Sequence, residues 1–265
     1  MRQTLIGEQQ IAHRQAGDGP PLVLLHGGMD DSRSWRWQLE DLAQDLTVIA
    51  WDAPGCGRSS EPPETWRMAD FADCLWAWLQ ALGVERPHVL GLSWGSSLAL
   101  ELHRRHPDVP RSLILVSAYA GWAGSLPPPE VSARLESVLV AADLPPAEAV
   151  DGWRVLLSSA PSEVVDELVA IWTDNTGTIH PAGHRAMAHS MADADLRDVL
   201  PTIRVPTLVL HGALDERSPM RVAKDLHAGI PAAKLVTIPG AGHICNAEAP
   251  DLFNRHVREF LRFES

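Results

Sequence analysis

The sequence predicts an α/β fold built on a mostly parallel sheet, and three observations carry that reading. Short apolar runs of strand length recur along the chain, each bounded by turn residues. Amphipathic helical patterns fill the gaps between them, as right-handed crossovers between parallel strands require. One long region, about 120–200, lacks any strand-like run and reads as a helical insertion into that rhythm.

The elements follow in order. The runs "PLVLLHGG" (21–28), "LTVIAWD" (46–52), "HVLGLS" (88–93), "RSLILVSA" (111–118), "PTLVLHG" (206–212) and "KLVTIPG" (234–240) read as buried strands. Between them, "SWRWQLEDLAQ" is a helix with Ser34 as its N-cap. The pattern "ADFADCLWAWLQALG" is a helix closed by Gly83. "PMRVAKDLHAGI" opens on Pro219, suited to a first turn, and "APDLFNRHVREFLRF" ends the chain. The insertion opens with the Pro/Gly linker "GWAGSLPPPE" and holds short helical patterns cut by proline and glycine. The expected organisation is a core of residues 1–119 and 201–265 with a helical cap over 120–200.

The bulk numbers narrow the class. The chain has 265 residues, is 45% hydrophobic and 21% charged, enough for one large core plus an insertion. A net charge of −12 disfavours nucleic acid and anionic membranes as partners. No apolar segment has the length of a signal-peptide core or a membrane span. Three cysteines, Cys56, Cys74 and Cys245, read as free thiols. A cytoplasmic protein is the expectation.

The chemistry concentrates at strand ends. Gly91-Leu92-Ser93-Trp94-Gly95 fits the G-x-S-x-G pattern of a strand-to-helix corner. Such a corner exposes the serine hydroxyl and points the next backbone N–H, that of Trp94, at a developing oxyanion. A serine needs a base, and the base needs an orienting group. On a parallel sheet both belong on loops after later strands. "LVLHGALDERSP" offers Asp215 and "LVTIPGAGHICN" offers His243, in the chain order expected for this geometry. "LLHGGMDDSRSW" adds Gly27-Gly28, and an N–H from Gly28 or Met29 supplies a second oxyanion donor. His26 braces this loop.

These pieces, "HGG" (26–28), "DAPGCGRS" (52–59), "GLSWG" (91–95), "GALDERSP" (212–219) and "PGAGH" (239–243), resemble the α/β-hydrolase fold enzymes over essentially the full length. The resemblance is to small bacterial esterases, enol-lactonases and cofactor-free perhydrolases. It implies an eight-stranded sheet, a helical cap over the site, Ser93 as nucleophile, His243 as base and Asp215 as acid. It implies a sharp-turn role for Asp52-Ala53-Pro54-Gly55. Serine at the elbow, where dehalogenases and epoxide hydrolases carry aspartate, argues against those branches. Two positions depart from the usual pattern. Ser96 replaces a second glycine and leaves a spare hydroxyl. Trp94 puts a large ring at the variable position, either walling the acyl pocket or buried against the sheet.

The expected substrate is a small ester or lactone, with a short or medium acyl group and no metal or organic cofactor. Perhydrolysis, carbon–carbon cleavage and a receptor with a vestigial triad stay as alternatives. Trp122, at the cap entrance, and Trp35, after the glycine loop, are the candidate substrate contacts. Trp76 and Trp78 read as packing on a helix. His103 with His106, and His180 with His184 and His189, lack the company of a familiar ligand spacing. Cys245 reads as a buried bystander near His243.

Overall fold

The computed structural model of the protein describes residues 1–151, 153–157, 160–178 and 181–262. Eight strands form one sheet: β1 (Arg2–Ile6), β2 (Gln9–Ala16), β3 (Pro21–Leu25), β4 (Thr47–Trp51), β5 (His88–Leu92), β6 (Ser112–Val116), β7 (Thr207–Gly212) and β8 (Lys234–Ile238). Their order across the sheet is β1-β2-β4-β3-β5-β6-β7-β8. From β4 to β8 every neighbouring pair is parallel, while β2 runs antiparallel to both β1 and β4.

The six apolar runs of the sequence are β3 to β8. The central ones, β5, β6 and β7, are buried along their whole length, which is why they read as continuous apolar segments. The edge hairpin β1–β2 is different. Residues of β1 alternate in and out of solvent around polar side chains, and the strands turn at Gly7, with φ +58°.

Helices cover both faces. On one face α2 (Met68–Leu82), α3 (Trp94–Arg105) and α8 (Met220–Gly229) build a core that includes Trp51, Phe71 and Trp78. On the other, α1 (Arg36–Asp41), the short α9 (Cys245–Glu248) and α10 (Pro250–Arg262) pack with Trp35 and Phe253 against the sheet. Gly83 closes α2 in the left-handed conformation, φ +66°, as its sequence position implied. The start before α1 differs from the sequence reading. Asp31, not Ser34, caps a 3-10 turn over Ser32–Trp35, its carboxylate accepting from the Arg33 amide. Ser34 instead donates its hydroxyl to the Asp31 carbonyl at 3.0 Å. The Asp31 carboxylate satisfies an orphan amide at 2.7 Å and also holds the Arg33 guanidinium, which a serine hydroxyl could not do.

Between β6 and β7 the regular structure among the described residues is helical and includes α4 (Pro128–Ala142), α5 (Pro146–Asp151), α6 (Ser162–Thr178) and α7 (Pro181–Asp193). His180 lies outside the described residues. Among the described residues, no helix is long and apolar enough to cross a membrane.

Candidate active site

The corner between β5 and α3 is a tight turn at the sheet edge. Ser93 sits there at φ +53°, ψ −109°, a conformation L residues rarely adopt. Strain of this kind costs of order 1–3 kcal/mol and persists only where the surroundings enforce it. The glycines enforce it by what they lack. A Cβ on Gly91 would lie 2.2 Å from the Gly95 carbonyl oxygen, and one on Gly95 would lie 2.2 Å from that of Leu25. The Ser93 amide donates to the Val116 carbonyl at 2.8 Å, tying the corner to β6. The Ser96 hydroxyl, expected to be spare, donates to the Ser93 carbonyl at 2.6 Å. It is a further brace on the turn.

Asp215 and His243 meet beyond the ends of β7 and β8. His243 Nδ1 lies 2.9 and 3.0 Å from the two Asp215 carboxylate oxygens. The carboxylate also accepts from the amides of Arg217 and Ser218 at 2.9 and 2.8 Å. Burial pushes the Asp215 carboxyl up, but the charge and hydrogen bond of His243 and the Ser218 amide outweigh it and hold the group below its ordinary value. With Nδ1–H donated to Asp215, His243 Nε2 carries the lone pair. The His243 loop is clamped from both sides. Glu248 accepts from the Gly242 and Ile244 amides at 2.8 and 3.0 Å, and the Ser117 hydroxyl donates to the His243 carbonyl at 2.8 Å.

The glycine loop after β3 closes the group. The buried His26 donates Nδ1–H to the Gly27 carbonyl at 2.7 Å and accepts at Nε2 from the Ala53 amide at 2.9 Å. That bond joins the loop to the turn at Asp52–Gly55, whose own carboxylate accepts from the Ser32 and Arg58 amides. Burial lowers the His26 pKa, so the ring stays neutral and serves as a strut. Gly28 and Met29 then reach one cavity with Ser93, Trp94 and His243. Met29 takes φ +65°. As the first residue of α3, Trp94 has an amide free of the helix ladder.

The insertion lines the opposite side. His184, Met187, Ala188 and Met191 form an i, i+3, i+4, i+7 stripe on α7 that faces this cavity. Burial lowers the His184 pKa to about 4, so it is a neutral wall. Among the polar ties between insertion and core, two reach the glycine loop and the elbow. Asn175 on α6 donates to the Met29 carbonyl at 3.3 Å and accepts from the Gly57 amide at 3.1 Å. Trp94 Nε1 donates to Ser190 Oγ on α7 at 2.9 Å. The Trp94 ring is nearly fully buried, edge-on to Phe71 at 5.1 Å, and contributes to the cavity wall.

Trp122 lines the cavity beside Arg217, whose guanidinium lies 5.3 Å from the Trp122 ring centre. Trp35 does not line it. The 3-10 turn capped by Asp31 rotates this ring inward, and it is fully buried against β3 and β4. The expectation that Trp35 touches substrate is therefore corrected to a core role. Trp78 is likewise core, and Trp76 stacks on His106 at 4.5 Å on the surface. Cys245 is buried and its thiol pushed well up. Among the described residues no three metal-ligating side chains come together.

A family profile described as "alpha/beta hydrolase fold" matches residues 20–145, and one described as "TAP-like protein" matches 179–263. A putative carbamate hydrolase, RutD, of Caulobacter sp. (strain K31) is 30% identical, over 99% of this chain and 98% of its own. The chain belongs to the alpha/beta hydrolases. The AB hydrolase superfamily protein YisY of Bacillus subtilis (strain 168) is 29% identical over 92% of each chain. Among solved structures, a thermophilic esterase from Thermogutta terrifontis is similar with a TM-score of 0.88 and 29% identity, over 97% of this chain and 95% of that one.

Several residues of this hydrolase's cavity escape the motifs. Asn175 closes a stripe of Leu168, Ile171 and Trp172 at helical spacing, so a lone amide in a buried stripe was the signal for it. The α7 stripe is equally present in "HRAMAHSM". Arg217 and Asp30 had no sequence signal: each sits in a loop next to a motif residue, where charged side chains are ordinary.

Proposed function

We propose that this hydrolase cleaves carboxylic esters through an acyl-enzyme on Ser93. The observation that carries the reading is the Asp215–His243 pair, whose His243 lines the same cavity as the strained Ser93. His243 takes the Ser93 proton as Oγ bonds to the ester carbonyl carbon. Asp215 holds the ring's orientation and stabilises the imidazolium. The amides of Trp94 and of Gly28 or Met29 stabilise the oxyanion, each worth about 3 kcal/mol in the transition state. His243 returns the proton to the leaving alcohol. It then takes a proton from water as the water attacks the acyl group, releasing the acid and restoring Ser93.

The cavity supports short acyl groups: it leaves about 90 Å³ open to water-sized molecules, and its α7 wall is mostly apolar. The names of its relatives, esterase and putative carbamate hydrolase, both describe attack at an acyl carbon. A fluorophosphonate probe should label wild type at Ser93 and leave Ser93→Ala unlabelled, read by mass spectrometry. Absence of label on wild type overturns the nucleophile. Across a panel of p-nitrophenyl esters and lactones, a large preference for lactones replaces the ester assignment with a lactonase one.

A further inference from the structure

Most charges around the cavity are accounted for in pairs. Asp215 is bound to His243, and Arg134 on α4 is bound to Glu130 at 2.6 Å. Arg217 is the exception. Its side chain lines the cavity, yet its guanidinium makes no ion pair or hydrogen bond among the described residues. Only its backbone is used: the amide serves Asp215, and the carbonyl accepts from Arg134 and the Tyr119 hydroxyl. The loop is thus fixed while the charged end is left open. The Trp122 ring, 5.3 Å away, fixes where that end lies.

A guanidinium half withdrawn from water costs free energy unless an anion meets it. Its planar fork matches a carboxylate with two parallel hydrogen bonds. Burial first and the neighbouring Arg134 next lower the Arg217 pKa, against the opposing influence of Tyr119, Glu130 and Asp215. Asp30, the other aspartate or arginine of the cavity lining, is already engaged, its carboxylate accepting from the Asp31 amide at 2.9 Å.

We propose that Arg217 is a specificity-determining residue that selects substrates carrying a carboxylate besides the scissile acyl group. This deepens the ester-hydrolase reading and rests on it for the reaction, but the binding step stands by itself. The substrate is then a half-ester or an acyloxy acid, its free carboxylate on Arg217 beside Trp122 and its carbonyl at Ser93.

The test compares monomethyl glutarate, 3-acetoxypropanoate and the neutral methyl pentanoate by proton release in wild type, Arg217→Gln and Arg217→Lys. Two anionic substrates are needed because the carboxylate can lie on the acyl or the alcohol side. Wild type should favour one of them over the neutral ester. In Arg217→Gln that preference, as a ratio of kcat/KM, should fall by about 30-fold, the scale of a hydrogen bond to a charged group. Arg217→Lys should restore part of it. A ratio equal in all three proteins overturns the proposal, whatever the absolute rates, and leaves the esterase reading standing. If wild type turns over none of the three, glutarate binding by calorimetry decides. Binding by wild type that is lost in Arg217→Gln supports the carboxylate site while the hydrolytic reading fails, and equal or absent binding in both removes the site too.

Discussion

The two walls of the cavity are built on different principles. The sheet-edge wall, with Ser93, Asp215 and His243, is fixed by backbone. Its glycines leave no room for a Cβ, its serine is strained, and its loops are clamped amide by amide. The insertion wall is made of side chains on helices, apolar along α7 and joined to the core by ties such as Asn175 to Met29 and Trp94 to Ser190. Chemistry that tolerates little displacement sits where substitution must move the main chain. The fit of the acyl chain is then expected to be set where substitution changes only shape.

That contrast can be broken most directly by one small change on each wall. Gly95→Ala adds a methyl group 2.2 Å from the Leu25 carbonyl oxygen and 2.6 Å from that of His26, neither of which can retreat without moving β3. It should destabilise the fold by roughly 4 kcal/mol or more, with activity lost alongside. Met187→Leu, on the facing helix, conserves volume and should cost less than about 1.5 kcal/mol while shifting acyl-chain preference. Thermal denaturation and a chain-length series read both. Comparable losses of stability for the two would abolish the distinction.

The same division explains what the sequence disclosed. The strands β3 to β8 were legible because each is an apolar run stopped by a turn residue. Ser93, Asp215 and His243 were legible because a backbone-built wall must use glycines and fixed chain order, which are local patterns. The hairpin β1–β2 was not, since an edge strand such as Arg2–Ile6 keeps polar side chains in solvent and shows no apolar run. Trp35 was misplaced because its direction depends on a one-turn shift in where the helix is capped. Arg217 is invisible for a related reason, and the stripe that marks Asn175 does not disclose its partners: both act through contacts between segments far apart in the chain, and local periodicity carries no record of those.

Asp30 sharpens the comparison through pH. Its carboxyl lines the cavity next to the clamped loop. Burial first, then the charge of Asp31, raises it from 3.8 to about 7, against hydrogen bonds from Ser34 and the Asp31 amide. Between those two values the folded chain keeps a proton that the unfolded chain has released. The group's contribution is therefore fully present below the lower value and is lost as pH rises through about 7. Asp30→Asn removes this titration. Relative to wild type it should gain about 4 kcal/mol between pH 3.5 and pH 8, from denaturant midpoints at both. A difference between the two proteins that does not change with pH would mean that the backbone wall holds no such charge.

The smallest effect belongs to the tie between the walls. Asn175 donates to the Met29 carbonyl and accepts from the Gly57 amide, so it spans the insertion and two loops of the core. Asn175→Ala leaves both backbone groups without that partner and should cost about 1–3 kcal/mol of stability. A merely structural tie would lower stability and leave kcat in proportion to folded protein. Asn175 fixes Met29, whose neighbourhood is the proposed source of the second oxyanion donor, so on that proposal kcat should fall about tenfold per folded molecule, equivalent to about 1.4 kcal/mol in the transition state, with KM little changed. The split between kcat and KM, measured on one short ester with protein corrected for its folded fraction, tells the two apart. A rise in KM at constant kcat would make the tie part of the shape wall, with no hold on the oxyanion loop.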